Sequence, residues 1–180
     1  MENNQKIILD LYAGTGAATD EYAAAGYARL KVTLPDNDVL TWQPPAAVYG
    51  IWASPPCTEW SLAKANLPRD FAKAIKEIKA IFRIVWQCQL ASPLRFWCIE
   101  NPTGFLRQFI GKPALKIHYW EYGDILDKPT DLWGYFNFPR KVYTEPPKLL
   151  LPITNMPGNG SKTRAITPPA FAKAFYQANQ

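Results

Sequence analysis

The chain predicts an α/β domain, a mostly parallel twisted sheet with helices on both faces, and three observations carry that prediction. Short apolar runs ending in turn residues alternate with stretches of helical period, the first run is followed by a glycine turn and a helix, and 180 residues with 48% hydrophobic content suffice for one core. Residues 6–12 (KIILDLY) read as a strand, AGTGAAT as the glycine turn, and the chain to about residue 25 as a helix stopped by Gly26. Residues 28–34 form a second strand, Pro35-Asp36-Asn37-Asp38 a turn, and 39–42 restart an extended unit. The β-branched and aromatic run 48–53 ends at Pro55 and Pro56, which lack the donor a ladder needs. Between Arg69 and Leu90, Phe71, Ile75, Ile78, Phe82 and Val85 recur every three or four positions, the period of a helix packed by one side. Residues 95–99 (RFWCI) are the next buried strand, running into Glu100-Asn101-Pro102. There follow a short helix at 105–110, a strand at 116–122, a proline-punctuated extended stretch at 123–163 that includes the start of the turn-rich PGNGSKTRA, and a closing helix from Pro168 with Phe171, Ala174 and Phe175 in helical register. No repeat or linker divides the chain, so residues 1–180 form a single domain.

Composition narrows the function. Seven Trp, nine Tyr and nine Phe exclude a disordered chain, no apolar run reaches the roughly 18 residues of a membrane span, and MENNQKIILDLY has no basic segment ahead of an apolar one, so a cytoplasmic protein without a membrane partner is expected. Three cysteines without CxxC spacing suggest neither a disulfide framework nor a metal site. His118, the sole histidine, lies in an apolar run and reads as structural. Net charge is +5, concentrated in the middle third, where residues 61–120 carry 10 basic and 3 acidic groups. Arg69, Lys73, Lys76, Lys79 and Arg83 share the polar face of the predicted helix. Such a row is either a solvated face or a set of phosphate contacts of the kind that dominates nonspecific nucleic-acid affinity, and Lys73 and Lys76 are the candidates for the latter.

Chemistry gathers at strand ends. Cys57 follows the 48–53 strand and should emerge at the carboxyl edge of the sheet, where ligands of open α/β sheets bind. An isolated cysteine is more often a small buried hydrophobe, and Glu100 alone would read as a cap or an ion-pair partner. Two polar residues ending buried strands belong together in a site. The 43 positions between them accommodate one crossover helix joining adjacent parallel strands, so both groups would enter one cleft. Gly14 and Gly16 lack the third glycine of a dinucleotide fingerprint, and no lysine completes a phosphate loop, which favours a cofactor without a pyrophosphate, such as S-adenosylmethionine.

Taken in order, LDLYAGTGA (9–17), SPPCTEWS (54–61) and IENP (99–102) resemble the DNA cytosine-5 methyltransferase family. The matching family segments are a D-L-F-A-G-x-G run that binds S-adenosylmethionine, a P-P-C run that carries the nucleophile, and an E-N-V run. Tyr12 stands for the phenylalanine and Pro102 for the valine. NDVL at 37–40 resembles the family's G-D-V turn at Asp38, and TRAITPPAFAKAF resembles the segment that returns to the cofactor pocket. The resemblance implies a Rossmann-like methyltransferase fold, S-adenosylmethionine held by Asp10, Tyr12, Ala13, Gly14, Gly16, Asp38 and Pro55, catalysis by Cys57 and Glu100, substrate contacts from Ser54, Pro56 and Asn101, and DNA as partner. A thiolate adding to carbon 6 of cytosine activates carbon 5, and a carboxyl at ring nitrogen 3 offsets the charge that addition creates. The base must be flipped out or single-stranded, and residues 58–69 would form a mobile loop over it.

The pattern also departs from the family. Thr33, Leu34 and Pro35 occupy the place of the acid that holds the ribose, with Asp36 as substitute, and the Gln- and Arg-rich segment that supports the base has no counterpart beyond Glu121 and Lys128. Only 33 positions separate Asp131 from Arg164, so a large recognition region is missing; residues 123–163 stand in its place, and relaxed sequence preference follows. A second subunit or a homodimer would supply recognition, and the compactness is similar to that of phage- or prophage-encoded members. The same chemistry on RNA or on a free nucleotide, and a degenerate nucleic-acid-binding subunit, are the alternatives.

Overall fold

A computed structural model describes residues 2–64, 66–152 and 165–180, so most of the PGNGSKTRA loop and Arg164 lie outside the described residues. The core is a six-stranded sheet built from β1 (Ile7–Leu11), β2 (Ala28–Val32), β3 (Gly50–Ala53), β4 (Phe96–Pro102), β5 (Leu115–His118) and β7 (Pro129–Tyr135), in the order β2-β1-β3-β4-β7-β5. The first four strands are mutually parallel, and β7 runs antiparallel between β4 and β5. A two-residue pair, β6 (Leu126–Asp127) and β8 (Leu151–Pro152), lies apart from it.

Strand alternation assigns the two faces. Leu9, Leu11, Ile51, Ala53, Ile99 and Trp133 share one hydrophobic cluster with Ala74, Ile78, Ile81, Ile84, Val85 and Cys88, the apolar side of α2 (Phe71–Ala91). Ile8, Trp52, Phe96, Cys98 and Leu132 point to the other face, onto Tyr22 of the short helix α1 (Asp20–Ala24) and onto Phe171 and Phe175 of α4 (Pro169–Asn179); the remaining helix, α3 (Arg107–Ile110), is a single turn. The predicted α/β architecture with helices on both faces is therefore what the chain adopts, and no helix among the described residues is long and apolar enough to cross a membrane.

Four local expectations differ from the structure. Residues 39–41 form a turn rather than a strand: the amides of Thr41 and Trp42 bond to the Asp38 carbonyl, and the Arg83 guanidinium takes the carbonyls of Val39 (3.1 Å) and Trp42 (2.9 Å) that a ladder would have used. Arg83 thus leaves the cationic row, as does Arg69, which donates to the carbonyls of Glu59 and Ser61 and lies over the Phe105 ring. The strand expected through residue 122 stops at His118, where a reciprocal pair of bonds between His118 and Glu121 caps a 3₁₀ turn, Tyr119–Tyr122. Within the stretch expected to be extended chain, Pro129–Tyr135 is a full strand inside the sheet, its proline at the first position where the missing donor does least harm.

Strand order reverses between β1 and β3, since β2 flanks β1 on one side while β3 and β4 continue on the other. In open α/β sheets the crevice beyond the carboxyl ends at such a reversal is where ligands bind. Register brings more to that edge: Pro102 pairs with Thr130, and His118 with Pro129, so the end of β4, the end of β5 and the start of β7 meet beside it.

Candidate active site

A cavity of about 360 Å³ opens at the reversal, lined by Asp10, Tyr12, Ala13, Gly14, Thr15, Ala17 and Ala18 from the first strand and turn, Ser54 from the end of β3, and Ala165, Ile166 and Thr167 from the approach to α4. The turn is made by left-handed backbone: Gly14 and Gly16 have φ of 52° and 90°, and Tyr12, which carries a side chain, is held at 57°. A bulky residue in that region stores strain, and such strain concentrates at functional positions. Asp10 is 1% exposed and accepts a 2.6 Å bond from the Thr19 hydroxyl. Burial dominates that bond and pushes the Asp10 carboxyl up to about 6. The Tyr12 hydroxyl is buried without a hydrogen-bond partner among the described residues and is pushed up by burial and then by the nearby charges of Glu77 and Asp38.

The predicted residues divide between two places. Asp10, Tyr12, Ala13, Gly14 and Ser54 surround the cavity. Gly16 is buried behind it as the residue that opens the 3₁₀ turn Ala17–Thr19. Asp38 is exposed, with its carboxylate accepting from the Leu40 amide at 2.9 Å, and is not among the described residues lining the cavity; Asp36 is exposed as well. Lys73 and Lys76 are exposed on α2, away from the cavity lining.

Next to the cavity, the two strand ends are tied together. Ala53 pairs with Ile99 in parallel register, and beyond that pair the Asn101 side-chain amide donates to the Pro55 carbonyl at 3.0 Å. Asn101 is fully buried, and its Oδ1 has no hydrogen-bond partner among the described residues. Buried polar atoms are paired in all but a few cases, so an orphan at a strand edge is a position where a ligand donor fits. Cys57 lies two residues past Pro55 and is partly exposed, whereas Cys88 and Cys98 are buried; burial pushes Cys88 up to about 11 and Cys98 well up, which keeps both as inert thiols. Pro56 is exposed between the two.

Glu100, buried at 6% exposure, receives the Tyr119 hydroxyl on Oε1 at 3.2 Å, and the Lys128 ammonium stands 3.6 Å from the same oxygen. Burial, followed by the Glu100 charge, raises Tyr119 well above the usual phenol range, so it stays a neutral donor. Sequence reasoning missed Tyr119 and offered Lys128 only as a stand-in for the base-supporting segment, not as a partner of Glu100: nothing in DKPT marks a lysine that the antiparallel β7 carries onto β4. Glu121, the other candidate from that segment, is engaged by Lys141 and by the His118 amide.

The expected mobile cover is tethered. Trp60 is fully buried and stacks on Phe71 at 5.5 Å, Glu59 accepts from Lys64 and the Asp70 amide, and Ser61 forms a bridge to Gly104. Arg69 closes the loop through its two carbonyl contacts, while residue 65 lies outside the described residues.

No family model matches the chain, and no curated protein matches it.

Proposed function

We propose that the protein is an S-adenosylmethionine-dependent methyltransferase acting on carbon 5 of cytosine in DNA through a covalent Cys57 adduct. The observation that carries this reading is the Asn101–Pro55 bond, which ties the segment bearing Cys57 to the strand end bearing Glu100 at one carboxyl edge, beside the cavity. The cavity suits the cofactor: left-handed glycines let backbone approach closely, the buried Asp10 carboxyl matches an ammonium or hydroxyl, and no lysine is among the described residues that line it. When bound there, the cofactor supplies an electrophilic methyl group.

The chain's own residues carry the remaining chemistry. The Cys57 sulfur bonds to carbon 6 as the ring double bond opens toward carbon 5, and Glu100, as its acid, gives a proton to ring nitrogen 3. After carbon 5 is methylated, water takes the carbon-5 proton, the freed electron pair re-forms the ring double bond and expels the Cys57 thiolate, and the proton on ring nitrogen 3 returns to Glu100. Tyr119 and Lys128 fix the orientation of Glu100 through Oε1. Affinity for DNA would come from phosphate contacts at Lys73 and Lys76 on α2.

The deciding experiment is trapping. DNA containing 5-fluorocytosine, incubated with protein and cofactor, should give a denaturation-resistant adduct, and Cys57→Ser should lower methyl transfer to ordinary DNA by about 10⁴-fold or more while eliminating the adduct. An adduct with fluorinated RNA or nucleotide but not with DNA would move the substrate, and none with any of the three would overturn the reading.

A further inference from the structure

Resting on the cytosine reading, we propose that the groove between α4 and residues 140–142 is a second phosphate site, taking the DNA backbone on the side of the sheet opposite α2. The groove has a volume of about 530 Å³. Arg140, Lys141 and Lys173 line it, and no acidic group is among the described residues that do. Ala170 and Ala174, one turn apart on α4, give it depth, because small side chains at that spacing leave a hollow on a helix face.

The charge in the groove is largely unspent. Lys141 is paired with Glu121, but Arg140 and Lys173 are exposed and make no ion pair or hydrogen bond with any described residue. After Glu145 the sequence carries four basic residues and no acidic one, so residues 153–164 bring no counter-charge. Cations gathered on a concave surface concentrate a field that an anion offsets. A guanidinium fork matches two phosphate oxygens, and an ammonium adds a point charge. Tyr122 forms part of the wall, and its buried hydroxyl has no hydrogen-bond partner among the described residues. Burial, followed by the Glu121 charge, holds that phenol neutral, which leaves it a spare donor.

Placement identifies the anion. Tyr119 donates to Glu100, and Tyr122, at the other end of the same 3₁₀ turn, lines the groove. On the opposite wall, α4 follows directly on the Ala165–Thr167 border of the cavity and packs Phe171 against both tyrosines. The groove therefore adjoins the carboxyl edge where Glu100 ends, while α2 carries Lys73 and Lys76 over the other face of the sheet. Cations on both faces of one edge are suited to grip a backbone on each side of an extruded base.

The test measures DNA binding by fluorescence anisotropy over a salt series. It compares wild type, the groove pair Arg140→Gln with Lys173→Gln, and a control pair, Lys112→Gln with Lys116→Gln, at exposed positions outside the groove. The groove pair should weaken binding about 30-fold at about 0.1 M salt and lower the slope of log affinity against log salt by about two, with Tm unchanged. The control pair should stay within about twofold of wild type. A single neutral methylphosphonate linkage, moved along the DNA, should at one position weaken wild type and cost the groove pair nothing further. Equal losses in the two pairs, an unchanged affinity and slope in the groove pair, or binding of a nucleoside monophosphate but not of DNA through Arg140 and Lys173 would each overturn the inference. A wild-type adduct with 5-fluorocytosine DNA would leave the cytosine reading standing in those cases. The expected salt behaviour without any adduct would instead remove that reading and leave a DNA-binding groove.

Discussion

The side-chain amide of Asn101 reaches the carbonyl of Pro55 across adjacent parallel strands, 46 positions apart in sequence, with a 3.0 Å hydrogen bond. It is the stitch between the Cys57 segment and the Glu100 strand end. Asn101→Ala leaves a buried carbonyl unpaired and should cost about 1–3 kcal/mol in urea unfolding. Adduct formation should fall by more than the stability loss alone explains, because thiol and carboxyl lose their common reference. Unchanged trapping kinetics in a folded variant would show that the bond has no part in aligning them.

Asp10 makes a prediction with a defined sign. Its folded carboxyl is raised from 3.8 to about 6, so the native state holds the extra proton between these values and stability falls as pH rises through that window. The penalty is complete above about 6 and absent below about 4, and it amounts to about 3 kcal/mol. Asp10→Asn should therefore stabilise the ligand-free protein at pH 7.5 and have little effect at pH 4, as read by denaturant titration at both. Binding of S-adenosylmethionine should behave oppositely in wild type, tightening as pH rises through about 6, and calorimetry showing a flat profile would remove Asp10 from the cofactor site.

Gly104 is constrained by contact. A β-carbon there would overlap the Trp60 carbonyl oxygen, a backbone atom that cannot turn aside, and the same oxygen accepts the Phe105 amide at 2.8 Å. Gly104→Ala should displace the 58–64 loop, lower Tm, and expose the buried Trp60 to a collisional fluorescence quencher. A variant as stable and as protected as wild type would mean that the loop has room to shift.

If Lys73 and Lys76 contact phosphates, replacing both with alanine should weaken DNA binding by a similar factor for every sequence tested. The slope of log affinity against log salt should fall by about two, one per lost contact. Equal slopes for the two proteins would return this face of α2 to the status of a solvated surface.

Legibility followed the range of the interactions. The glycine turn, the Pro-Pro stop before Cys57 and the period of α2 are set by neighbours in sequence, and each was readable from the chain. The run 39–42 misled because its apolar residues look like a strand, whereas its carbonyls are claimed by Arg83 from more than 40 positions away. β7 and the residues it positions were hidden for the same reason. A proline-punctuated stretch becomes a sheet strand only when β4 and β5 leave a gap for it, and only then does Lys128 meet Glu100. The tethering of 58–70 was likewise invisible, since it depends on Gly104 accepting Trp60 at close range.

The C-terminal closure bears on the order in which the protein matures. Ala165, Ile166 and Thr167 form a wall of the cavity, and α4 covers the second face of the sheet, with the Tyr22 hydroxyl bonded to the Asn179 carbonyl across 157 positions. If the cavity is the methyl-donor chamber and Cys57 the nucleophile, a nascent chain on the ribosome carries that sulfur more than 100 residues before the chamber has its last wall. On that reading, translation products that stop before residue 165 lack a wall of the chamber and would be born inert.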